Sequence, residues 1–355
     1  MSSDNSEISE VVDKLFHYKR DSYVFIYSPP KVGSTTLVSS LRISLGNRCC
    51  VIHLHDEIML NVLTGIQNVT INDIIRHLAR NGKTVYVIDV YRSPIERKMS
   101  EFFEKIASLH FNNSEVNINT YSVARITDRF NKIFPHIANG DHYIDKYNIP
   151  NPVPFDFTKK YTIQKVDNIT YIKLRLCDSS GWGAILSEIF GREVIIITDY
   201  ESIQKVIGDM YVKFKNNYML PKNLLDTVSN CEYLRLYYSE EERKKYIDSW
   251  SVRKGDIFTS YTEEEYRFYI KLSLENQHIN DLQLEHYMDS GCLCRLCSNK
   301  RIKVFSKAKT GEKIEKIDHR ELCLQRNKQI INKISSNKKN SKFTKSQFNI
   351  KLDMK

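Results

Sequence analysis

Three short runs constrain this chain more than anything else in it: Tyr23–Ser28 (YVFIYS), Cys50–His55 (CVIHLH) and Thr84–Val90 (TVYVIDV). Each is almost continuously apolar. That is the pattern of a strand buried on both faces of a parallel sheet, not of one with a wet side. Helical periodicity fills the gaps between them. Residues 6–19, Ser34–Leu45, Asn72–Arg80 and Ile95–Ser108 read as helices, with Gly46 and Asn81-Gly82 as stop signals. Strand alternating with helix predicts an α/β domain, a parallel sheet flanked by helices.

The pattern loosens after residue 110. Residues 112–120 and 139–158 read as loops. Tyr161–Val166 and Thr170–Leu176 flank Asp167-Asn168 and predict a hairpin. Trp182–Phe190, Glu201–Tyr218, Ser239–Trp250 and Thr262–Leu282 read as helices, the third opening on a Ser239–Glu242 capping box. The expected organisation is an N-terminal arm (1–20), an α/β domain (21–250), a helical extension with a Cys/His module (251–324) and a basic, disordered tail (325–355).

The net charge of +10 is unevenly placed: residues 325–355 hold eight Lys and one Arg against one Asp, leaving about +2 for residues 1–324. A nearly neutral body argues against nucleic acid as the folded domain's partner, whereas the tail suits anionic surfaces. Asn, Ile and Lys are abundant throughout, as in an AT-rich genome such as that of a large DNA virus, so part of the charge reflects base composition. There is no apolar run of membrane-spanning length and no apolar signal core near the N-terminus. A cytoplasmic protein without a transmembrane segment is expected, its eight cysteines reduced.

Chemistry concentrates where the first strand meets the first sheet helix. Tyr27–Thr36 reads YSPPKVGSTT. A glycine turn at a helix N-terminus lets backbone N–H groups approach an anion, and the helix dipole favours one there. Ser34, Thr35 and Thr36 add hydroxyls and Lys31 adds a mobile charge. A nucleoside-triphosphate loop requires G-x-x-x-x-G-K-[ST]. Here Gly33 is the single glycine and Lys31 precedes it, so a P-loop nucleotide kinase fits poorly; a plain capped turn is the simplest alternative. A second feature weighs against the plain turn. Arg92 ends the third strand and Ser100 follows in the next helix. An Arg at a strand's carboxyl end stands where α/β sheets bind ligands, and a guanidinium forks onto phosphate. One loop and one Arg/Ser pair imply a ligand with two separated phosphates.

Pro30–Thr36 (PKVGSTT) resembles the 5′-phosphosulfate loop of sulfotransferases, and Arg92, Pro94 and Ser100 resemble their 3′-phosphate motif. More narrowly, the chain is similar to the putative capsular polysaccharide synthesis proteins, a sulfotransferase-like family. The similarity rests on KVGST, RSPIERKMSEFF, FDFTKKYTIQ (155–164) and YYSEEERKKYIDSW (237–250), and covers roughly residues 20–250. It implies a P-loop-like sulfotransferase fold, with 3′-phosphoadenosine 5′-phosphosulfate (PAPS) as donor and a glycan or similar hydroxyl-bearing acceptor. Lys31 would meet the leaving oxygen, Gly33, Ser34, Thr35 and Thr36 the 5′-phosphate, and Arg92 and Ser100 the 3′-phosphate. Related enzymes place a base near the end of the second strand, where this chain has His53, His55, Asp56 and Glu57. His53 and His55 share a strand face. His55, nearer the end, is the favoured base, and Asp56 the second choice. Asp89, inside the third strand, reads as structural, and Arg175 as a residue that could line the acceptor site.

Nothing in that resemblance covers the C-terminal cysteines. Cys294 and Cys297 form a C-x-x-C pair, and His319 and Cys323 follow in H-x3-C spacing. Together they could make a tetrahedral structural zinc site, with Cys292 or His286 as substitutes; inert thiols are the competing reading. A non-catalytic adaptor working through this module and the tail is therefore the alternative to an enzyme.

Overall fold

The computed structural model describes residues 5–16, 20–197, 206–275 and 293–312. Its centre is a five-stranded sheet of β1 (Ser22–Tyr27), β2 (Cys49–Leu54), β3 (Thr84–Tyr91), β4 (Tyr161–Val166) and β5 (Ile169–Arg175), in the order β2-β1-β3-β5-β4. The first four in that order run parallel; β4 is antiparallel to β5 and closes one edge. The expected hairpin is present, and Asp167 makes its turn with φ 52.

The helices are α1 (Asn5–Leu15), α2 (Ser34–Leu45), α3 (Glu57–Thr64), α4 (Ile71–Arg80), α5 (Pro94–Glu104), α6 (Glu115–Ile118), α7 (Val123–Ile133), α8 (His142–Asp145), α9 (Trp182–Phe190), α10 (Gly208–Asn217), α11 (Lys222–Ser229), α12 (Glu232–Tyr237), α13 (Glu240–Ser251), α14 (Glu263–Glu275) and α15 (Arg295–Lys309). The doubly buried strands divide their side chains by parity. Tyr23, Phe25, Ile52, Val85 and Val87 face a core shared with α1 and α4. Val24, Ile26, Val51, Ile88 and Leu174 face α2 and α9 on the other side. A third core joins α5 and α7 to α10–α13. The result is a mixed α/β architecture with a mostly parallel central sheet between helices. Among the described residues no helix is long and apolar enough to cross a membrane.

Several expectations need correcting. The helix expected over Ile95–Ser108 is α5 followed by a π-helical turn, Ile106–Phe111. Residues 112–120 and 139–158, expected as loops, contain α6 and α8, each opened by a side-chain cap from Ser114 or Asp141. The helix expected from Glu201 begins at Gly208, and residues 198–205 lie outside the described set. The helix expected to run to Leu282 is described to Glu275. The Cys-rich segment supplies an ordinary helix: Cys294 caps α15, its Sγ accepting from Cys297 N at 3.5 Å. No group of three or more metal-ligating side chains stands together among the described residues. His319 and Cys323, half of the expected zinc site, lie outside them, as do Cys292 and His286.

Candidate functional site

Because β2, β1, β3 and β5 are parallel, their carboxyl ends share one edge, and the residues after each strand meet there. The chain leaves β1 towards β2 on one side and returns to β3 on the other. The loop after β1 therefore sits at the reversal of strand order, the usual ligand crevice of open α/β sheets.

The loop is held from three sides. Gly33, at φ 89, is the N-cap of α2. A Cβ there would stand 2.7 Å from Leu176 Cδ1 and close on Trp182, so both the backbone angle and the packing require glycine. On the β3 side Arg92 Nη1 donates to the carbonyl of Lys31 at 2.8 Å. On the β2 side His55 Nδ1 lies 2.7 Å from the carbonyl of Ser28. The two motifs that lie apart in the sequence thus touch.

No side chain caps the N-terminus of α2. Its first-turn residues are Ser34, which is buried, and Thr35 and Thr36, which are half-buried. Lys31 takes φ 66 and sends its Nζ to Glu104, 2.9 Å from a carboxylate oxygen. Glu104 ends α5, one helical turn beyond Ser100. Residues four apart share a helix face, so the face that carries Ser100 is the one the loop meets. Ser100 is buried on it.

The proposed bases stand differently. His55 follows β2 immediately, and its ring packs edge-on against that of buried His53, with centroids 4.4 Å apart. Asp56 is exposed and serves as the N-cap of α3, accepting from Met59 N at 2.8 Å. Arg175 does not line an acceptor site. It is buried, with Nε on Asp178 at 2.6 Å, Nη1 on the Tyr237 carbonyl at 2.9 Å, and two nitrogens on Glu242 at 2.7 and 3.0 Å.

Beneath the edge lies a fully buried charge cluster. Lys173 of β5 is the register partner of Asp89 of β3, and its Nζ lies 2.7 Å from that carboxylate. It also donates to Asp141. Asp141 accepts from Tyr237 Oη at 2.8 Å, and Asp89 from Tyr143 N at 2.8 Å. Burial pushes the Asp89 carboxyl up, against the opposing pull of Lys173. The structural reading of Asp89 holds, with a specific partner. The same short segment braces the other strands: His142 Nε2 sits 2.6 Å from the His55 carbonyl, and Tyr147 Oη donates to the Tyr27 carbonyl at 2.6 Å. Residues 141–147 therefore clamp the carboxyl ends of β1, β2 and β3 together.

Helix α5 adds two buried cations to this edge. Arg97 donates to the carbonyls of Gly140 and Asn139, and Lys98 to Ile137 and Asn139. Arg92, Arg97 and Tyr91 border a cavity of about 30 Å³, room for a water or two. A hollow of about 420 Å³ beside α7 and α10 shares no residue with the site.

Burial, with Arg97 beside it, pulls the Lys98 ammonium down to about 7. An unfolded lysine stays protonated to about 10.4. Between these values the unfolded chain holds the extra proton, so stability is expected to rise with pH across that window. Urea unfolding at pH 7 and pH 9 should show the rise in wild type and a flatter profile in Lys98→Met. Equal slopes would contradict the depressed value.

Sequence reasoning missed Glu104, His142, Asp141 and Lys173. Only Glu104 had a usable signal, its four-residue spacing from Ser100. The others are long-range partners with no local pattern. No family model, curated protein or solved structure matches the chain.

Proposed function

We propose that this chain is a sulfotransferase of P-loop-like fold that moves a sulfuryl group from PAPS to a hydroxyl of a glycan or similar acceptor. The observation that carries the reading is the 2.8 Å bond from Arg92 to the Lys31 carbonyl. It sets the Lys31 loop and Arg92 side by side at the sheet's reversal point, which supports a ligand with two phosphates.

The α2 N-terminus, with Gly33, Ser34, Thr35 and Thr36, would take the 5′-phosphate, and Arg92 with Ser100 the 3′-phosphate. In the transfer, a bond forms between the acceptor oxygen and sulfur as the bond from sulfur to the 5′-phosphate oxygen breaks. Negative charge gathers on that departing oxygen, where Lys31 would meet it. The acceptor's proton goes to a base, for which His55 stands nearer the loop than Asp56 does.

Lys31 reaches the ligand only by leaving Glu104. The pair is partly exposed, at 16% and 37%, and at the surface value of about 0.2–1 kcal/mol Glu104→Gln is expected to tighten binding by up to about fivefold. The test is titration calorimetry with adenosine 3′,5′-bisphosphate. Wild type should bind it, and adenosine 5′-phosphate about tenfold or more weaker, for loss of the Arg92 phosphate contact. Wild type that fails to bind the bisphosphate overturns the whole reading. Binding without sulfate transfer from PAPS to any of a glycan panel overturns the enzymatic part.

A further inference from the structure

We infer that α15 docks the protein on an anionic lipid surface. This helix is not a detached appendage. Cys297, Arg301 and Val304 form its buried seam, and α2 is its main neighbour. Arg301 Nη1 donates to Asn47 Oδ1 at 3.1 Å. A Cβ on Gly46 would stand 3.2 Å from Arg301 Nε, so the guanidinium lies against the carboxyl end of α2, where the helix dipole favours a cation.

The opposite face is unusual in two respects. Its charges are all positive: α15 contains Arg295, Lys300, Lys303, Lys307 and Lys309 besides Arg301, and no acidic residue. Among the described residues, Lys309 is paired with a carboxylate, Glu193 at 3.0 Å. Among these cations stand exposed apolar side chains: Leu293 (47% exposed), Leu296 (43%) and Ile302 (55%). Exposed Arg48, next to Asn47, extends the charge beyond the helix.

A nucleic-acid backbone would satisfy the cations and leave Leu296 and Ile302 in water. A lipid surface takes both: headgroup phosphates meet Lys303 and Lys307, and the apolar side chains enter the acyl boundary. The placement suits such docking. Gly46 and Asn47 lie at the end of α2 opposite the Lys31 loop, on the order of 18 Å away for a twelve-residue helix. A protein docked by α15 would turn the candidate site away from the membrane.

The test is co-sedimentation of the full chain with phosphatidylcholine vesicles, with and without about 30% phosphatidylserine. Binding is expected only with phosphatidylserine. Lys303→Glu/Lys307→Glu should weaken it about tenfold or more. Leu296→Ser/Ile302→Ser should weaken it about threefold, and abolish it at ~0.5 M salt, where the charge contribution is screened. All four residues are solvent-facing, so circular dichroism should be unchanged. Absence of binding to the anionic vesicles overturns the proposal. So does binding lost only on deleting residues 325–355, with both α15 variants behaving as wild type. Tighter binding to duplex DNA than to vesicles, insensitive to Leu296→Ser/Ile302→Ser, assigns the face to nucleic acid instead.

Discussion

Arg92→Ala is expected to weaken adenosine 3′,5′-bisphosphate binding by about 100-fold. A charge-assisted hydrogen bond to phosphate is worth about 1.5–3 kcal/mol, or roughly 10- to 150-fold in affinity. Arg92 has a second role in addition, because its Nη1 holds the Lys31 carbonyl. On the proposed reading, removing the side chain takes away a phosphate contact and also frees the loop proposed to make the others. Lys31→Ala should cost less, about tenfold, because the lost point charge already has a carboxylate partner in Glu104. Arg92→Lys separates the effects: it keeps the charge but loses the planar fork, and should recover only part of the loss. Calorimetry on the three variants, with thermal melts to confirm folding, reads all of this. Binding by Arg92→Ala within about threefold of wild type would remove Arg92 from the site.

The largest stability effect is expected at Lys173. This ammonium lies between the Asp89 and Asp141 carboxylates, and the side chains are buried to 0–1% exposure. Methionine in its place would leave two carboxylates in the interior without a cation. Breaking a buried pair in this way costs about 3–5 kcal/mol. The loss should be smaller in Lys173→Met/Asp89→Asn than the sum of the single changes, because one stranded carboxylate is then neutral. The two side chains are register partners on adjacent strands, so strong coupling is expected. Urea unfolding measures each corner of the cycle. A Lys173→Met loss below about 1 kcal/mol would show that the carboxylates find other compensation. Because residues 141–147 also hold His55 and Tyr27, disturbance at Lys173 should spread to the loop as well.

Strands announced themselves because doubly buried runs such as TVYVIDV have few alternatives. α2 and α5 were equally plain from their apolar spacing, with Gly33 and Pro94 at their starts. The loop and Arg92 were legible as separate motifs. Their contact was not, because it depends on β3 pairing directly with β1 across the chain's return. Residues 141–147 were read as loop for a physical reason. Asp141, His142, Tyr143 and Tyr147 make no periodic stripe, and each is fixed by a partner distant in sequence: Lys173, His55, Asp89 or Tyr27. Arg175 was misjudged similarly, since nothing local indicated that Glu242 would fork onto it. The change from α5 to a π-turn after Glu104 also has no composition signal, as IASLHF would continue an ordinary helix.

The backbone of Lys31 has a consequence for how such a chain can change. Of the eight non-glycine residues with positive φ among the described residues, five are Asn or Asp, the types that tolerate this region best. Lys31, at φ 66, is not of that kind. A glycine would sit there with less strain, on the order of 1 kcal/mol. Selection for a sturdier fold would therefore erode this lysine, and selection for what its side chain contacts would keep it. Stability and ligand affinity should trade against each other at this one residue. A library screened at position 31 for thermal resistance alone should drift to glycine or asparagine, and so discard the charge proposed to meet the departing oxygen.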